Sequence, residues 1–345
     1  VYQGGHIAKK GRLNSLLRGV RNLCVLLENG FHLNGMDHSK NYQGHLALLC
    51  SSIFFGLNFV IAKSLLHGAV SPMGLNALRF LAGAVAFWAI SLFMKPQKVL
   101  RKDLLILFGG SALGLMLNQI LFIQGLARTS SINASIISTT VPMLTMLFSA
   151  MILKEPISLL KVTGVLVGGA GAVFLVLTSI HGVDQESSLL GDLLCMSSCA
   201  AYSLFLVITK PVSQRYSPVT VMKWMFLFAV LLIIPFSIPA VSKVDFAQFD
   251  RSNWWSLGFV LVFATVVPYF LIPVAQKSLR PTTQAMYNYV LPIVATALAV
   301  YMGTGVVTVP KVVASVLVFV GVYIVTRSKS RSDMDASKGT MLNEK

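Results

Sequence analysis

Two stretches of this chain place amides, hydroxyls and phenols inside long apolar runs. Gln284 to Pro292 reads QAMYNYVLP, and Ala134 to Pro142, 150 positions earlier, reads ASIISTTVP. Polar groups in hydrocarbon are costly, so such a run needs an aqueous cavity or a polar neighbour. In the first stretch Gln284, Tyr287, Asn288 and Leu291 share one helical face by their spacing. In the second, Ser131, Ser135, Ser138, Pro142 and Thr145 make a similar stripe, with Asn133 and Thr139 nearby. For each Ser or Thr taken alone, a bond to a carbonyl of its own helix is the simpler reading. Pro142 and Pro292 each lack an N–H and free a carbonyl one turn back, and both read as helix bends. Two interrupted runs at matching places in two halves of a chain point to a small-molecule site where the halves meet.

Other polar side chains lie deep in apolar runs. Asn58 falls in the first, Asn118 and Gln119 in the third, Tyr202 and Ser203 in the sixth, and Tyr269, beside Pro268, in the eighth. With Ser138, Gln284, Tyr287 and Asn288, the residues Asn58, Asn118, Tyr202 and Tyr269 form the candidate substrate-binding set. Phenols can stack on and orient a flat or amphipathic molecule; core packing is the alternative for each. Arg79 lies a turn or two inside the outer end of the second run, where it either snorkels outward or lines an outer vestibule and attracts anionic groups. The vestibule is the reading adopted, because no acid in that run pairs with it. Lys223, nearer an inner end, snorkels.

What is missing from these runs also bears on chemistry. Asp192 and Glu155 sit at run ends and Asp103 at a run start, and no Asp, Glu or His falls near a centre. Proton-coupled carriers usually hold a titratable carboxylate or imidazole at depth. The expectation is therefore facilitated diffusion or exchange without a buried coupling residue. Of Cys24, Cys50, Cys195 and Cys199, the last two are four apart with no His or acid beside them. That is too few ligands for a metal, so no metal and no cofactor are expected.

The elements that position these residues follow from composition. Of 345 residues, 55% are hydrophobic and 12% charged, and mean hydropathy is +0.74. A soluble domain carries about 25% charge. Apolar runs of about 20 residues, enough to cross hydrocarbon, recur as ten helices: 45–65, 73–94, 104–126, 131–153, 162–179, 189–210, 219–238, 254–276, 282–302 and 309–326. The class is an all-α membrane protein. The net charge of +16 excludes little, because the basic residues lie in short loops and tails, not in a groove with interleaved aromatics. Only Arg128, Lys243, Arg251 and Lys311 fall in loops on one side, against most other Lys and Arg on the opposite side. The positive-inside rule then places both termini in the cytoplasm.

The halves repeat. Gly44, Ser51, Ile61 and Lys63 match Gly191, Ser198, Ile208 and Lys210 at an offset of 147. Ser71-Pro72 and Phe80 match Ser217-Pro218 and Phe226 at 146, and Pro142 and Gly171 match Pro292 and Gly321 at 150. Five helices per unit is an odd number, so the second unit lies inverted relative to the first. The boundaries expected are 1–43 for an N-terminal cytoplasmic tail, 44–180 and 188–326 for the two units, and 327–345 for a C-terminal cytoplasmic tail. Residues 1–35 read as an extension upstream of a natural start at Met36.

Sequence motifs sharpen this. They are Leu78-Arg79-Phe80, then Gly125-Leu-Ala-Arg-Thr-Ser130 followed by Pro142 and Leu153-Lys-Glu155, then Arg280-Pro-Thr-Thr283 and Tyr287-Asn-Tyr289 with Pro292. With the five-helix repeat, they make the chain similar to the ten-helix EamA-type family of the drug/metabolite transporter superfamily over residues 45–326. The second half departs from the pattern, with Gly305 where a match to Glu155 would be acidic. The resemblance implies transport of metabolites, amino acids or drug-like molecules across the inner membrane, most often outward. The expected protein is a multi-pass inner-membrane exporter of small, amino-acid-like or drug-like metabolites, working by alternating access between the two units. Its expected partners are a small-molecule substrate and the lipid bilayer, without nucleic acid, as a monomer or homodimer. An enzyme in the membrane needs a nucleophile, metal ligands or paired acids at depth, and a channel needs rings of charge or a filter; neither is present. A non-transporting scaffold is the remaining alternative.

Overall fold

Serine–proline pairs set two equivalent helix starts. Ser71 accepts a hydrogen bond from the Gly74 amide at 3.1 Å, and Ser217 accepts one from Thr220 at 3.2 Å. Each serine caps a helix whose first residue is proline, which lacks the amide that would be orphaned there. A computed structural model of the chain describes residues 37–66, 69–153, 159–180, 188–242, 244, 246–304 and 307–326. The expectations for residues 1–35 and 327–345, and for Glu155 and Gly305, fall outside the described residues.

All regular elements among the described residues are helical. They are α1 (Asp37–Leu66), α2 (Pro72–Ser91), α3 (Arg101–Gly110), α4 (Asn118–Leu126), α5 (Ser131–Ser138), α6 (Val141–Ile152) and α7 (Leu159–Ile180) in the first half. The second half has α8 (Leu189–Arg215), α9 (Pro218–Val241), α10 (Arg251–Leu261), α11 (Val267–Ser278), α12 (Pro281–Met286), α13 (Val290–Tyr301) and α14 (Val309–Thr326). A π turn, Ser111–Leu117, joins α3 to α4, and another, Val262–Val266, joins α10 to α11. Both therefore fall in the third membrane-length run of their half.

Among the described residues, seven helical segments are long and apolar enough to cross a membrane: Tyr42–Leu66, Pro72–Ser91, Arg101–Leu126, Ser131–Ile152, Leu189–Arg215, Pro218–Phe236 and Arg251–Ser278. The expected fifth and tenth spans hold shorter apolar stretches, Val162–Gly171 and Val309–Gly321. The expected ninth is divided by a 3-10 turn, Tyr287–Tyr289, between α12 and α13. Large apolar side chains such as Val85, Leu105, Phe236, Trp255 and Val316 are exposed on the outside of the bundle, as lipid-facing helices require.

The packing has an approximate two-fold relation. α1 lies against α11 and α13, and its counterpart α8 lies against α4 and α6. α2 pairs with α9, and α7 with α14. Exchanging the halves converts each pair into another of the set or into itself. The details repeat too. A Cβ on Gly44 would meet Ser278 and Leu279, and one on its match Gly191 would meet Arg128, so each glycine admits the opposite half's connecting loop. Lys63 donates to the Thr129 carbonyl, and its match Lys210 donates to the carbonyls of Gln276 and Leu279. Each ammonium thus meets carbonyls at or beyond the C-terminal end of its own half's third span, where the helix leaves acceptors unpaired.

Candidate functional site

Where the halves meet, a cavity opens with an empty volume of about 590 Å³, part of it continuous with solvent. The two units line it from equivalent positions. Phe55 faces it from α1 and Tyr202 from α8; Phe122 from α4 and Tyr269 from α11; Ser138 from α5 and Asn288 from the 3-10 turn. The first two pairs are related by the 147-residue offset and the third by 150. Asn58, Asn118, Gln119, Ser198 and Arg79 add to its polar wall. Gln284 lies beside Asn288 and Tyr202 at a second, smaller cavity of about 270 Å³.

A chain of side-chain hydrogen bonds ties three helices together on one wall. Asn118 Nδ2 donates to the carbonyl of Ser198 at 3.0 Å and to its hydroxyl at 3.1 Å. Gln119 Nε2 donates to Asn118 Oδ1 at 2.9 Å and to the Tyr269 hydroxyl at 2.8 Å. The chain fixes which way both amides face, and it leaves Gln119 Oε1 without a partner. Tyr269 is 1% exposed and packs edge-on against Phe55 and Phe226.

Arg79 does not snorkel; it is 1% exposed and forms part of the cavity wall. Two local features of the eighth span hold it there. Pro268 has no N–H to bond the Ala264 carbonyl one turn back, and that carbonyl accepts from Arg79 Nη2 at 3.0 Å. Inside the π turn, the Thr265 hydroxyl donates to the Val260 carbonyl at 2.8 Å and accepts from Arg79 Nε at 2.8 Å. A π turn of this kind often re-aims side chains at functional sites. Arg79 Nη1 has no partner, and the two acceptors that hold the guanidinium are uncharged.

The two interrupted spans differ in how they break. α5 ends at Ser138, where the Thr139 and Thr140 amides bond the carbonyls of Ile136 and Ile137, and α6 resumes with Pro142 in its first turn. The hydroxyls of Ser135, Ser138, Thr139 and Thr140 each donate to a carbonyl three residues back. Most of the hydroxyl stripe therefore serves its own helix, and Ser131 reaches the Phe59 carbonyl. In the ninth span the 3-10 turn winds faster than an α-helix, so Tyr287 and Asn288 part company. Asn288 stays with Gln284 toward the cavities. Tyr287 lines neither; its hydroxyl meets His45 Nδ1 at 2.7 Å, and its ring packs near Leu48, Ala275 and Leu279. Pro292 is buried in α13 and lines neither cavity.

The apolar wall went unread in the sequence. Phe55, Phe59 and Phe122 line the cavity, with Phe59 and Phe122 edge to face at 5.1 Å. Phe55, Asn58 and Phe59 share a helical face, which was the available signal. Cys195, Ser198 and Cys199 also line it. Among the described residues no cluster of His, Cys, Asp or Glu is arranged to hold a metal.

A multi-pass membrane protein built of two repeated units around a shared polar cavity is the architecture these observations define. The chain belongs to the EamA-like transporter family of the drug/metabolite transporter superfamily, whose model matches residues 42–177 and again 189–327. The uncharacterized transporter YyaM of Bacillus subtilis is 26% identical over 287 residues, covering 82% of this chain and 93% of that one. A WAT1-related protein of Arabidopsis thaliana is 23% identical over 264 residues, covering 68% and 69%. A crystal structure with 20% identity shares the fold with a TM-score of 0.58, covering 84% of this chain and 98% of that one.

Proposed function

We propose that the protein exports small metabolites, amino-acid-like or drug-like, across the inner membrane. In this reading ten helices form two inverted five-helix units with both termini in the cytoplasm. The units rock about the cavity and expose it alternately to each side. The substrate-binding set is Asn58, Asn118, Ser138, Tyr202, Tyr269, Gln284 and Asn288, with Pro142 and Pro292 as bends in the two broken spans. Tyr287, bonded to His45, belongs to the packing against α1 and not to the substrate contacts.

One observation carries this reading: the cavity takes its lining from equivalent positions of both units. A site shared in that way changes its access when one unit moves against the other. Among the described residues no Asp, Glu or His lines it, which supports movement down a gradient or by exchange.

The test is transport of a mixed metabolite pool by protein reconstituted in vesicles, comparing the native chain with Asn288→Ala. A compound that crosses with the native chain and is lost in a folded Asn288→Ala variant supports the site and gives the cargo. Equal transport by the two removes Asn288 from the site, and no transport of any compound by either returns the reading to a non-transporting scaffold.

A further inference from the structure

We infer that Arg79 is the docking point for a carboxylate carried by the cargo, so that the site selects small organic monoanions with an apolar body. The inference rests on the cavity being a substrate site, and it adds the chemical class of the ligand.

The argument starts from charge. An ionised guanidinium buried among helices is costly unless a charge of opposite sign meets it. Arg79 is 1% exposed, and it is held by one hydroxyl and one carbonyl. Those bonds orient the plane and do not neutralise it. Its third nitrogen, Nη1, has no protein partner although the residue lines the cavity. A positive group fixed in direction and left with an open donor is what a bound anion requires. A planar guanidinium suits a planar carboxylate.

The rest of the cavity narrows the class. Among the described residues Arg79 is the one Lys or Arg in the lining, so a dianion such as a phosphate monoester would keep an unmatched charge. A cation would meet a like charge. Phe55, Phe59 and Phe122 supply an apolar wall for the body of the molecule. Gln119 Oε1, held by the amide chain and unpartnered, is an acceptor for one N–H or O–H of that body. The second unit has Met225 at the position matching Arg79, by the same offset that aligns Phe80 with Phe226. The charge is therefore a feature of one side of the cavity, which fixes the direction in which a carboxylate lies.

The experiment is binding to the purified full chain in detergent, by calorimetry and by thermal shift. The probes are phenylacetate and hexanoate, each against its uncharged amide, with phenethylamine as the cation. The native protein is expected to bind the acids at least tenfold more tightly than the amides, and the amine not at all. Arg79→Gln is expected to lose at least tenfold in acid affinity with amide affinity unchanged, and Arg79→Lys to fall between. Acids no tighter than amides, or acid affinity that survives Arg79→Gln, overturns the inference. If Arg79→Gln does not fold, the acid-to-amide ratio of the native protein decides alone. Flux in vesicles separates the two readings. Acids that bind but never cross leave the subsite standing and sink the transport reading. Cargo that crosses but is cationic or uncharged does the reverse.

Discussion

At Gly321 the backbones of the two units come close together, and one added methyl tests the contact. A Cβ built on Gly321 of α14 falls 2.4 Å from the Gly168 amide nitrogen, 2.6 Å from the Gly168 Cα and 2.6 Å from the Gly164 carbonyl of α7. All three are backbone atoms, so no side chain can swing aside. Ordinary contact needs about 3.4 Å or more, and α7 and α14 must therefore separate by about 1 Å along that line. Helices in lipid associate through close packing of small residues, so the loss falls on the main force joining this pair. Overpacking of this kind costs about 1–3 kcal/mol. Alanine also gains about 0.5–1 kcal/mol of helix propensity over glycine. The right controls are Gly169→Ala and Gly258→Ala, where an added Cβ meets nothing within 4 Å. Both controls share the propensity gain, so it cancels. Gly321→Ala should unfold with a free energy about 1–3 kcal/mol below either control. Gly168→Ala should fall between, because the nearest atom there is the end of the flexible Met143 side chain. The assay is reversible unfolding of purified protein in detergent, followed by helix content. Among the described residues none of α7 or α14 lines the cavity, so substrate affinity should be unchanged. Gly321→Ala as stable as Gly169→Ala would refute the backbone contact, and with it the packing of the fifth and tenth spans described above.

Two further substitutions separate structural bonds from substrate contacts. Asn118→Leu removes its bonds to Ser198 and Gln119. At about 0.6 kcal/mol for an average interhelical bond and about 1.7 at most, it should cost 1–3 kcal/mol in an unfolding titration and raise the transport KM, since Gln119 and Tyr269 lose their alignment; an unchanged KM would refute that coupling. Tyr287→Phe removes only the bond to His45. It should cost about 1 kcal/mol or less and leave substrate affinity intact, and an affinity loss equal to that of Asn288→Ala would return Tyr287 to the site.

The sequence carried the positions of the polar residues better than their roles. Asn58, Asn118, Tyr202 and Tyr269 were legible because an amide or phenol in an apolar run has few places to go, and all four meet one cavity. Tyr287 was misplaced because periodicity assumed one continuous α-helix, whereas the 3-10 turn changes the angle between neighbours at that point. The bonds that hold Arg79 were illegible for a different reason. Its depth depends on a carbonyl freed by Pro268 and a hydroxyl turned by a π bulge, both far along the chain in the other half. Neither partner is visible from the second helix.

The repeat explains why those misses cluster in the site while the scaffold was readable. Lys63 and Lys210, Gly44 and Gly191, and Ser71-Pro72 and Ser217-Pro218 keep both identity and task in the two units. They build backbone geometry, which the two-fold relation needs twice. The cavity positions keep place but not identity. Phe55 and Phe122 of the first unit answer to Tyr202 and Tyr269 of the second, Ser138 to Asn288, and Arg79 to Met225. Three of these exchanges add or remove one polar group on a nearly fixed frame, and the fourth turns the Ser138 hydroxyl into the Asn288 amide. A symmetric cavity would present the same donors from both sides and would bind an asymmetric molecule in two orientations. Here the charge comes from the first unit and both phenols from the second, so the proposed cargo, with one anionic end and one apolar body, has a single way to lie. In the proposed transport cycle the repeated scaffold lets two units move against each other, and the diverged side chains hold what lies between them in one direction.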